Sequence, residues 1–253
     1  MFVTAFLSAQ GGVGRTSISA NLAAILASRG RTVVVIEWDP ANRLAFHLGS
    51  SQPPERGWIQ SAVESGPWHE AALENSDGVL FLPFGAPAEQ PRRALEQMLA
   101  AEPSWLARRL ETLDLASDAH VMLDVSRGPS VYVDQALVAA DLAIGVLRPF
   151  PTFALDVAVL DTAAQRIREL YYLLNQVDTT RRLTRDILLI LRSQLEERLL
   201  RFAIHRDESV PEALAANASV ATYAPASQAG HDLQGLASWL IGHAAERTMG
   251  AAA

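Results

Sequence analysis

The sequence predicts an α/β fold in which helices cover both faces of a mostly parallel sheet. Short apolar runs typical of buried strands alternate with helical stretches along the whole 253-residue chain. Hydrophobic residues make up 49% of the chain and charged residues 19%, which is enough to bury a large core. A glycine-rich turn joins the first strand to the first helix. We therefore expect one domain over residues 1–253, with a ligand crevice at that turn.

Composition excludes several classes of protein. There is no cysteine, so disulfides and thiolate metal sites are excluded and a reducing, cytoplasmic location is favoured. All 21 basic residues are arginine, and the formal net charge is −7, so stable binding to nucleic acid is not expected. No apolar run approaches 18 residues, which argues against a membrane span, and the histidines show no metal-ligand spacing.

The glycine-rich turn covers residues 8–17, between a strand predicted at 2–7 and a helix predicted at 18–28. Glycines let successive N–H groups point inward, and the helix start adds its partial positive charge at the same place. A polyphosphate is the natural ligand, although a turn without any ligand is the alternative. The expected phosphate contacts are Gly11, Gly12, Val13, Gly14, Arg15, Thr16 and Ser17. In a phosphate-binding loop the Thr16 hydroxyl would also hold Mg²⁺.

Carboxylates follow two later strands. A strand predicted at 31–36 leads into Glu37 and Asp39, and a strand predicted at 120–124 ends in Asp124. Because the carboxyl ends of parallel strands meet at one edge of the sheet, these side chains should lie beside the loop. Asp124 then resembles a Walker B carboxylate and is the expected second Mg²⁺ contact. Surface carboxylates that merely close a turn are the alternative for the Glu37 segment.

The remaining elements are predicted from periodicity and composition. Strands are expected at 79–85, 141–146, 171–174 and 202–204, and helices at 91–115, 155–170, 180–200 and 227–243. The arginines of the 180–200 helix are spread around it and interleaved with acidic residues. We therefore expect this helix to present a solvated, salt-bridged face and not a nucleic-acid-binding surface.

The turn resembles the deviant Walker A motif, K-G-G-x-G-K-[ST], of the MinD/ParA ATPases. That resemblance implies a P-loop NTPase fold, ATP and Mg²⁺ as cofactors, and an ATP-stabilised homodimer. Both family lysines are replaced, by Gln10 at the signature position that reaches across the dimer and by Arg15 in the loop. Arginine keeps the charge but glutamine loses it, so hydrolysis is expected to be slow or absent. Arg127, after Asp124, lies near phosphate or a dimer partner, or is a solvated loop residue.

The same resemblance assigns roles to residues outside the loop. It implies that Glu37 lies near Mg²⁺, that Asp39 orients the attacking water, and that Asn175 contacts the adenine edge. A turn residue is the alternative for Asn175. The segment over 205–210 is similar to the family's P-R-D-E-S-V loop, which implies that Arg206 and Asp207 flank the base.

A further pattern narrows the resemblance within this class. Gly57-Trp58, a second tryptophan at Trp68 and Leu82-Pro83-Phe84-Gly85 resemble the BcsQ proteins, the MinD-like members encoded in bacterial cellulose-synthesis operons. The alternative is that both tryptophans are simply core residues. The resemblance implies a BcsR-like small subunit and other components of the cellulose synthase complex as partners, with recruitment to that inner-membrane complex or the cell pole.

Three functions remain open from the sequence. The first is a nucleotide-switched protein that supports assembly, localisation or regulation of cellulose synthase secretion. The second is a ParA- or MinD-type ATPase that positions DNA or a polar complex. The third, a metabolic kinase, would need a substrate pocket that no motif marks. The last helix is poor in arginine, whereas membrane-binding relatives end in a basic amphipathic helix, so we expect only indirect membrane contact.

Overall fold

The computed structural model describes residues 1–64, 66–167 and 169–251. Within these residues eight strands form one sheet: β1 (Phe2–Leu7), β2 (Val33–Trp38), β3 (Leu73–Glu74), β4 (Leu80–Leu82), β5 (His120–Val125), β6 (Leu142–Leu147), β7 (Leu170–Val177) and β8 (Leu199–His205). Their order is β3-β4-β2-β5-β1-β6-β7-β8. Only β3 runs antiparallel, against β4. The predicted α/β fold with a mostly parallel sheet is confirmed.

Helices connect the parallel strands. They are α1 (Arg15–Ser28), α2 (Leu44–His47), α3 (Trp58–Val63), α4 (Glu89–Ala101), α5 (Trp105–Glu111), α6 (Val131–Ala139), α7 (Phe153–Ala163), α8 (Arg182–Leu195), α9 (Ser209–Ala215), α10 (Val220–Tyr223) and α11 (Gln228–Ala251). In the part of the chain that the structure describes, none of them combines the length and hydropathy needed to cross a bilayer.

The sheet is buried on both faces, which explains why its strands are continuous apolar runs. In β1, the side chains of Val3, Ala5 and Leu7 join one hydrophobic cluster. Phe2 and Phe6 point to the other face and join a second cluster with α1 and α11. Parallel sheets covered on both faces have this composition, because neither set of alternating side chains meets water.

Three predicted helices are shorter than expected. The helix predicted at 155–170 ends at Ala163, and Leu170 already belongs to β7. The other two each have a local cause. The helix predicted at 91–115 is divided into α4 and α5, because Pro103 disfavours the helical conformation at the preceding Glu102 (φ −131°, ψ 80°). The helix predicted at 180–200 ends at Leu195, and residues from Leu199 onward pair with β7 instead. Leucines fit both periodicities, so the sequence could not separate this helix end from a strand start.

The second strand lies two residues later in the chain than predicted, and this shift brings a carboxylate into the sheet. It continues to Trp38, so Glu37 lies inside β2 and is in register with Asp124 of β5. Phe6 of β1 is in register with the same aspartate. The carboxyl ends of β1, β2 and β5 therefore converge, as the sequence predicts, and the glycine loop follows β1 at this point.

Candidate functional site

A cavity of about 520 Å³ opens at the carboxyl ends of β1, β2 and β5. All of the predicted phosphate and metal residues line it, together with several residues that were not predicted. The lining comprises Ser8, Gln10, Gly11, Gly12, Val13, Gly14, Arg15, Thr16, Ser17, Glu37, Asp39, Ala41, Arg43, His47, Asp124, Arg127 and Gln176. Its position beside the central strands of an open α/β sheet is the usual ligand crevice of such folds.

The loop delivers the start of α1 into this cavity. Gly14 precedes the helix with φ +89°, and a Cβ atom there would lie 2.2 Å from Asn175 Nδ2, so the position requires glycine. Glycine has no side chain to cap the first turn, and the helix ladder begins with the Ile18 N–H donating to the Gly14 carbonyl at 2.9 Å. The N–H groups of the first turn and the positive end of the helix therefore face the cavity without a side-chain cap, which suits an anion.

Arg15 is buried in the cavity wall between two carboxylates. Its Nε donates to Asp124 Oδ1 and its Nη2 to Asp39 Oδ2, both at 2.7 Å, while Nη1 reaches Ser8 Oγ at 3.2 Å. Burial lowers the pKa of Arg15, but attraction to the two aspartates outweighs this and raises it above its ordinary value. The guanidinium is thus a fixed positive charge at this end of the loop.

The three predicted metal ligands lie together. Thr16 Oγ1 donates to Asp124 Oδ2 at 2.8 Å, and Glu37 adjoins Asp124 across the β2–β5 ladder. Glu37 Oε1 accepts from the Leu44 N–H at 2.8 Å, whereas Glu37 Oε2 is buried with no partner in the described residues. Burial raises the pKa of Glu37 to about 8, so the metal-free side chain is largely protonated at neutral pH.

This donor set fits Mg²⁺. The side chains of Thr16, Asp124 and Glu37 offer only oxygen atoms, which Mg²⁺ prefers, and the free Glu37 Oε2 provides a ligand position for the ion or one of its waters. Within the described residues, no three side chains of histidine, cysteine, aspartate or glutamate form a complete metal cluster. Mg²⁺ is commonly held by one or two carboxylates together with phosphate oxygens and water, so these protein groups suffice.

Gln10 is held within its own chain. Its Nε2 donates to Thr152 Oγ1 and to Asp156 Oδ1, both at 2.8 Å, and so ties the loop to the start of α7. Arg127 is exposed beside the loop, and its Nη1 would lie 3.6 Å from a Cβ atom placed on Gly11. No ion pair of Arg127 occurs among the described residues. It is therefore a free cation beside the loop.

Asn175 lies under the loop and not in the cavity. Its Nδ2 donates to the Val13 carbonyl at 2.7 Å, and the neighbouring Gln176 Nε2 donates to the Gly12 carbonyl at 3.0 Å. Both residues belong to β7, which is longer than the predicted strand 171–174. Gln176 lines the cavity but was not predicted. In the sequence, its position directly after Asn175 was the one feature that indicated a place near the loop.

Arg206 and Asp207 also lie outside the cavity lining. The Arg206 N–H donates to the Val177 carbonyl at 2.9 Å, so this segment adjoins the end of β7. The Arg206 side chain is exposed and faces Glu208 at 3.6 Å. Asp207 accepts from the N–H groups of Ser209 and Ala229, and these hydrogen bonds lower its pKa. Contacts of these two residues to a base stay a prediction.

The other unpredicted polar lining residues gave no sequence signal. Ser8 contacts Arg15, His47 Nδ1 lies 3.2 Å from Ser17 Oγ, and Arg43 has no ion pair among the described residues. Burial lowers the pKa of His47, which favours a neutral imidazole. Single polar residues at the ends of short loops cannot be assigned to a site until the fold brings them there.

The tryptophans of the sequence pattern form a core beneath the carboxylates. Trp58 stacks on Trp38 with centroids 4.4 Å apart, and Trp68 and Trp105 lie around the pair. The Trp58 Nε1–H donates to the Glu37 carbonyl at 2.9 Å. Gly57 is required beside the Leu-Pro-Phe-Gly segment, because a Cβ atom there would lie 2.3 Å from the Pro83 carbonyl oxygen. The two parts of the pattern are thus packed on each other.

Comparison with known proteins agrees with this geometry. The family model described as cellulose biosynthesis protein BcsQ matches residues 1–241. The chain is 27% identical over 246 residues to BcsQ of Salmonella typhimurium, covering 96% of this chain and 95% of that protein. It is 29% identical to the chromosome-partitioning ATPase Soj of Thermus thermophilus, covering 96% of both.

Among solved structures, the fold matches cobyrinic acid a,c-diamide synthase from Mycobacterium smegmatis with bound ADP and magnesium. The TM-score is 0.79 at 21% identity, and the match covers 96% of this chain and 95% of that one. At this level of identity the likeness concerns the fold alone. The family match covers nearly the whole chain and agrees with the glycine loop and the tryptophan pattern. The chain therefore belongs to the BcsQ family of cellulose biosynthesis proteins.

Proposed function

We propose that this protein binds ATP and Mg²⁺ in the cavity at the start of α1 and acts as a nucleotide-switched, dimerising accessory protein of the bacterial cellulose synthase secretion complex. One observation carries the proposal: the uncapped start of α1 lies in the same cavity as Arg15, Thr16 and Asp124. The cavity offers helix-terminal N–H groups, a fixed cation and an oxygen-rich metal site. These are the groups that bind a polyphosphate together with its metal.

Each group has a role that follows from its chemistry. The N–H groups of residues 11–17 surround the phosphates, and Arg15 adds charge-assisted hydrogen bonds. Thr16 and Asp124 would hold Mg²⁺, and Glu37 would reach the ion or one of its waters. The ion would supply positive charge that neutralises the phosphate oxygens. Asp39, at the mouth of the cavity, orients a water for attack. The ADP and magnesium in the synthase structure support this choice of ligands.

The base would lie beyond the loop, toward the end of β7. Asn175 offers both a hydrogen-bond donor and an acceptor, which matches the adenine edge, and the segment of Arg206 and Asp207 adjoins the same strand end. In the structure the Asn175 amide nitrogen donates to the Val13 carbonyl. To contact the base as well, Asn175 would have to use its amide oxygen, or the loop would have to shift locally.

Turnover is proposed to be slow, so that ATP fixes a long-lived homodimer. Catalysis of phosphoryl transfer consists mainly of positioning and charge stabilisation, and a cation supplied from a partner contributes roughly 10³–10⁵ in rate in well-studied GTPases. Gln10 carries no charge and is hydrogen-bonded to Thr152 and Asp156 of its own chain. It therefore cannot supply such a cation. Arg127, free beside Gly11, is the side chain that could replace it.

The partners proposed are a second copy of the chain, a BcsR-like small subunit and other components of the cellulose synthase complex. Membership in the BcsQ family supports this set. The proposed location is the cytoplasm, with recruitment to the inner-membrane synthase or the cell pole. Stable binding of nucleic acid is not proposed, because the net charge is −7.

A ParA- or MinD-type positioning ATPase is the second candidate. The similarity to Soj over 96% of both chains favours it. Loss of cellulose secretion on deleting the gene, with unchanged segregation of DNA and polar complexes, would support the first function. The reverse phenotype would support the second.

The switch itself is tested in solution. Sedimentation velocity with ATP and with ADP should show a dimer only with ATP, and turnover should be slow. Restoring both lysines in the double variant Gln10→Lys with Arg15→Lys should raise turnover roughly tenfold or more and shorten the dimer's lifetime. Gln176→Lys adds the same charge at another cavity amide and serves as the control. If neither nucleotide changes the oligomeric state, the proposed switch is wrong.

A further inference from the structure

The position of Arg15 has a consequence for metal binding. Its guanidinium contacts Asp124 and Asp39, the carboxylates at the ends of β5 and β2, at 2.7 Å each. The second oxygen of Asp124 accepts from Thr16 Oγ1 at 2.8 Å. Two of the groups that would hold Mg²⁺ are therefore hydrogen-bonded to each other, and one of them, Asp124, is also paired with an internal cation. Arg15 and Asp124 are 7% and 1% exposed, so water weakens this pairing little.

Arginine suits this arrangement better than lysine would. A planar guanidinium offers donors along several edges and can hold two carboxylates at once, whereas an ammonium is a compact point charge on a flexible stem. The Nε and Nη2 atoms of Arg15 are used in this way, and Nη1 is held by Ser8. The replacement of the loop lysine thus adds a specific contact and is more than a conservative change of side chain.

The electrostatic effect of this contact opposes a free divalent ion. Asp39 and Asp124 together carry two negative charges, and the buried guanidinium cancels one of them at hydrogen-bonding distance. A divalent ion approaching Asp124 would meet the like charge of Arg15 within a few ångströms, in surroundings that screen it poorly. It would also have to displace charge-assisted hydrogen bonds, which are among the stronger ones in proteins.

We propose that Arg15 is the internal counter-ion of the metal site and excludes free divalent cations until a nucleotide is present. Phosphate oxygens attract the guanidinium away from Asp124, and this releases the carboxylate and Thr16 for the metal. Metal and nucleotide then bind as a coupled pair. The inference rests on the proposed function for the role of the nucleotide, but its first half concerns the nucleotide-free protein alone.

The test is the affinity of the nucleotide-free, full-length protein for Mn²⁺, followed by the electron paramagnetic resonance signal of the free ion. Wild type should bind Mn²⁺ only weakly. Arg15→Gln should bind it at least about tenfold more tightly, because the substitution removes the competing charge and hydrogen bonds. Arg43→Gln removes the same charge from the same cavity, where Arg43 has no ion pair among the described residues, and should behave like wild type.

Two further variants test whether the gain in Mn²⁺ affinity depends on Asp124 and on the guanidinium of Arg15. Adding Asp124→Asn to Arg15→Gln should abolish the gain. If Arg15→Gln does not fold because it leaves buried carboxylates unpaired, Arg15→Lys decides. An ammonium lacks the separate donor edges that hold Asp39, Asp124 and Ser8 together, so Mn²⁺ should bind more tightly than in wild type. Equal Mn²⁺ affinity in wild type and the Arg15 variants, or an equal gain in Arg43→Gln, would overturn the inference. Because no nucleotide is used, these results are independent of whether ATP binds.

Discussion

Glu37 is a buried carboxyl group whose protonation state links the site to the stability of the fold. Its Oε1 is fixed by the Leu44 N–H, while Oε2 has no partner among the described residues. Burial raises its pKa from an ordinary value of 4.5 to about 8. The folded protein therefore binds a proton between these two values that the unfolded chain has lost. Stability from this group is complete below about pH 4.5 and is lost as the pH rises through 8.

This predicts a pH dependence that a single substitution removes. In metal-free buffer, the free energy of unfolding of wild type should fall by roughly 2–4 kcal/mol, relative to Glu37→Gln, as the pH rises through this window. Urea unfolding at pH 5 and pH 8 measures it. Glu111→Gln, at an exposed position on α5, should follow wild type. Parallel pH profiles for wild type and Glu37→Gln would show that the carboxyl group is already ionised in the fold.

At the residue scale, the sequence predicted the identity of the central side chains but not their partners. The loop glycines and Thr16 belong to one local motif and Asp124 ends a separate predicted strand, so their meeting in one cavity could be predicted from strand and helix order. The pairing of Arg15 with Asp124 could not, because the direction of the guanidinium is set by the packing of β1, β2 and β5. The same holds for Gln10, which contacts α7 from 142 residues away.

At the element scale, the packing of α3 and α5 beneath β2 supports the carboxylate end of the sheet. Trp58 and Trp68 are both fully buried in this packing, yet among the described residues only the indole N–H of Trp58 has a partner, the Glu37 carbonyl. A hydrogen bond from a side chain to a strand carbonyl fixes both the helix and the strand end. Leaving that carbonyl unpaired in the core would cost more than the loss of indole volume alone.

Two matched substitutions separate these effects. Trp58→Phe and Trp68→Phe remove the same volume, but only the first leaves the Glu37 carbonyl without its donor. We expect Trp58→Phe to lower the free energy of unfolding by roughly 1–2 kcal/mol more than Trp68→Phe. Urea unfolding followed by far-ultraviolet circular dichroism measures both. Equal losses would mean that the tryptophans act through volume alone, as the core-only alternative holds.

Element boundaries show where sequence periodicity stops being informative. The division of the predicted 91–115 helix could be predicted from the sequence, since Pro103 marks it. The end of α8 could not be predicted, because leucines continue from the helix into β8 and only pairing with β7 makes them a strand. The extension of β2 through Glu37 likewise depends on a neighbouring strand, β5.

At the scale of the whole molecule, α11 is part of the core and is not available as a membrane anchor. Its apolar residues Leu233, Leu236 and Leu240 are buried in the hydrophobic cluster that includes α1. Arg247 is engaged with Glu169 at 3.1 Å. A surface-binding helix needs a free apolar face and several basic residues, and α11 offers neither within its described residues.

We therefore predict that the protein alone does not bind anionic vesicles. Co-sedimentation should recover the same small fraction with vesicles rich in anionic lipid as with neutral ones, at low ionic strength. Arg247→Ala should leave this fraction unchanged. Sedimentation that rises with the anionic lipid content would contradict the prediction and would indicate a direct membrane contact instead of one through the synthase.

The central claim is that the start of α1 binds a polyphosphate with its metal, and calorimetric titration with ATP and Mg²⁺ tests it most directly. Wild type should give saturable binding at or below millimolar nucleotide. Gly14→Ala should abolish it, because the added Cβ atom would collide with Asn175 at a positive φ.

Gly30→Ala is the matched control for this titration. It places alanine at a similarly positive φ of +73°, at the end of α1 and with nothing within 4 Å, so the variant should bind ATP like wild type. Saturable binding by wild type and Gly30→Ala but not by Gly14→Ala is the predicted result. Absence of binding by wild type at millimolar ATP with Mg²⁺, or equal binding by Gly14→Ala, would contradict the claim.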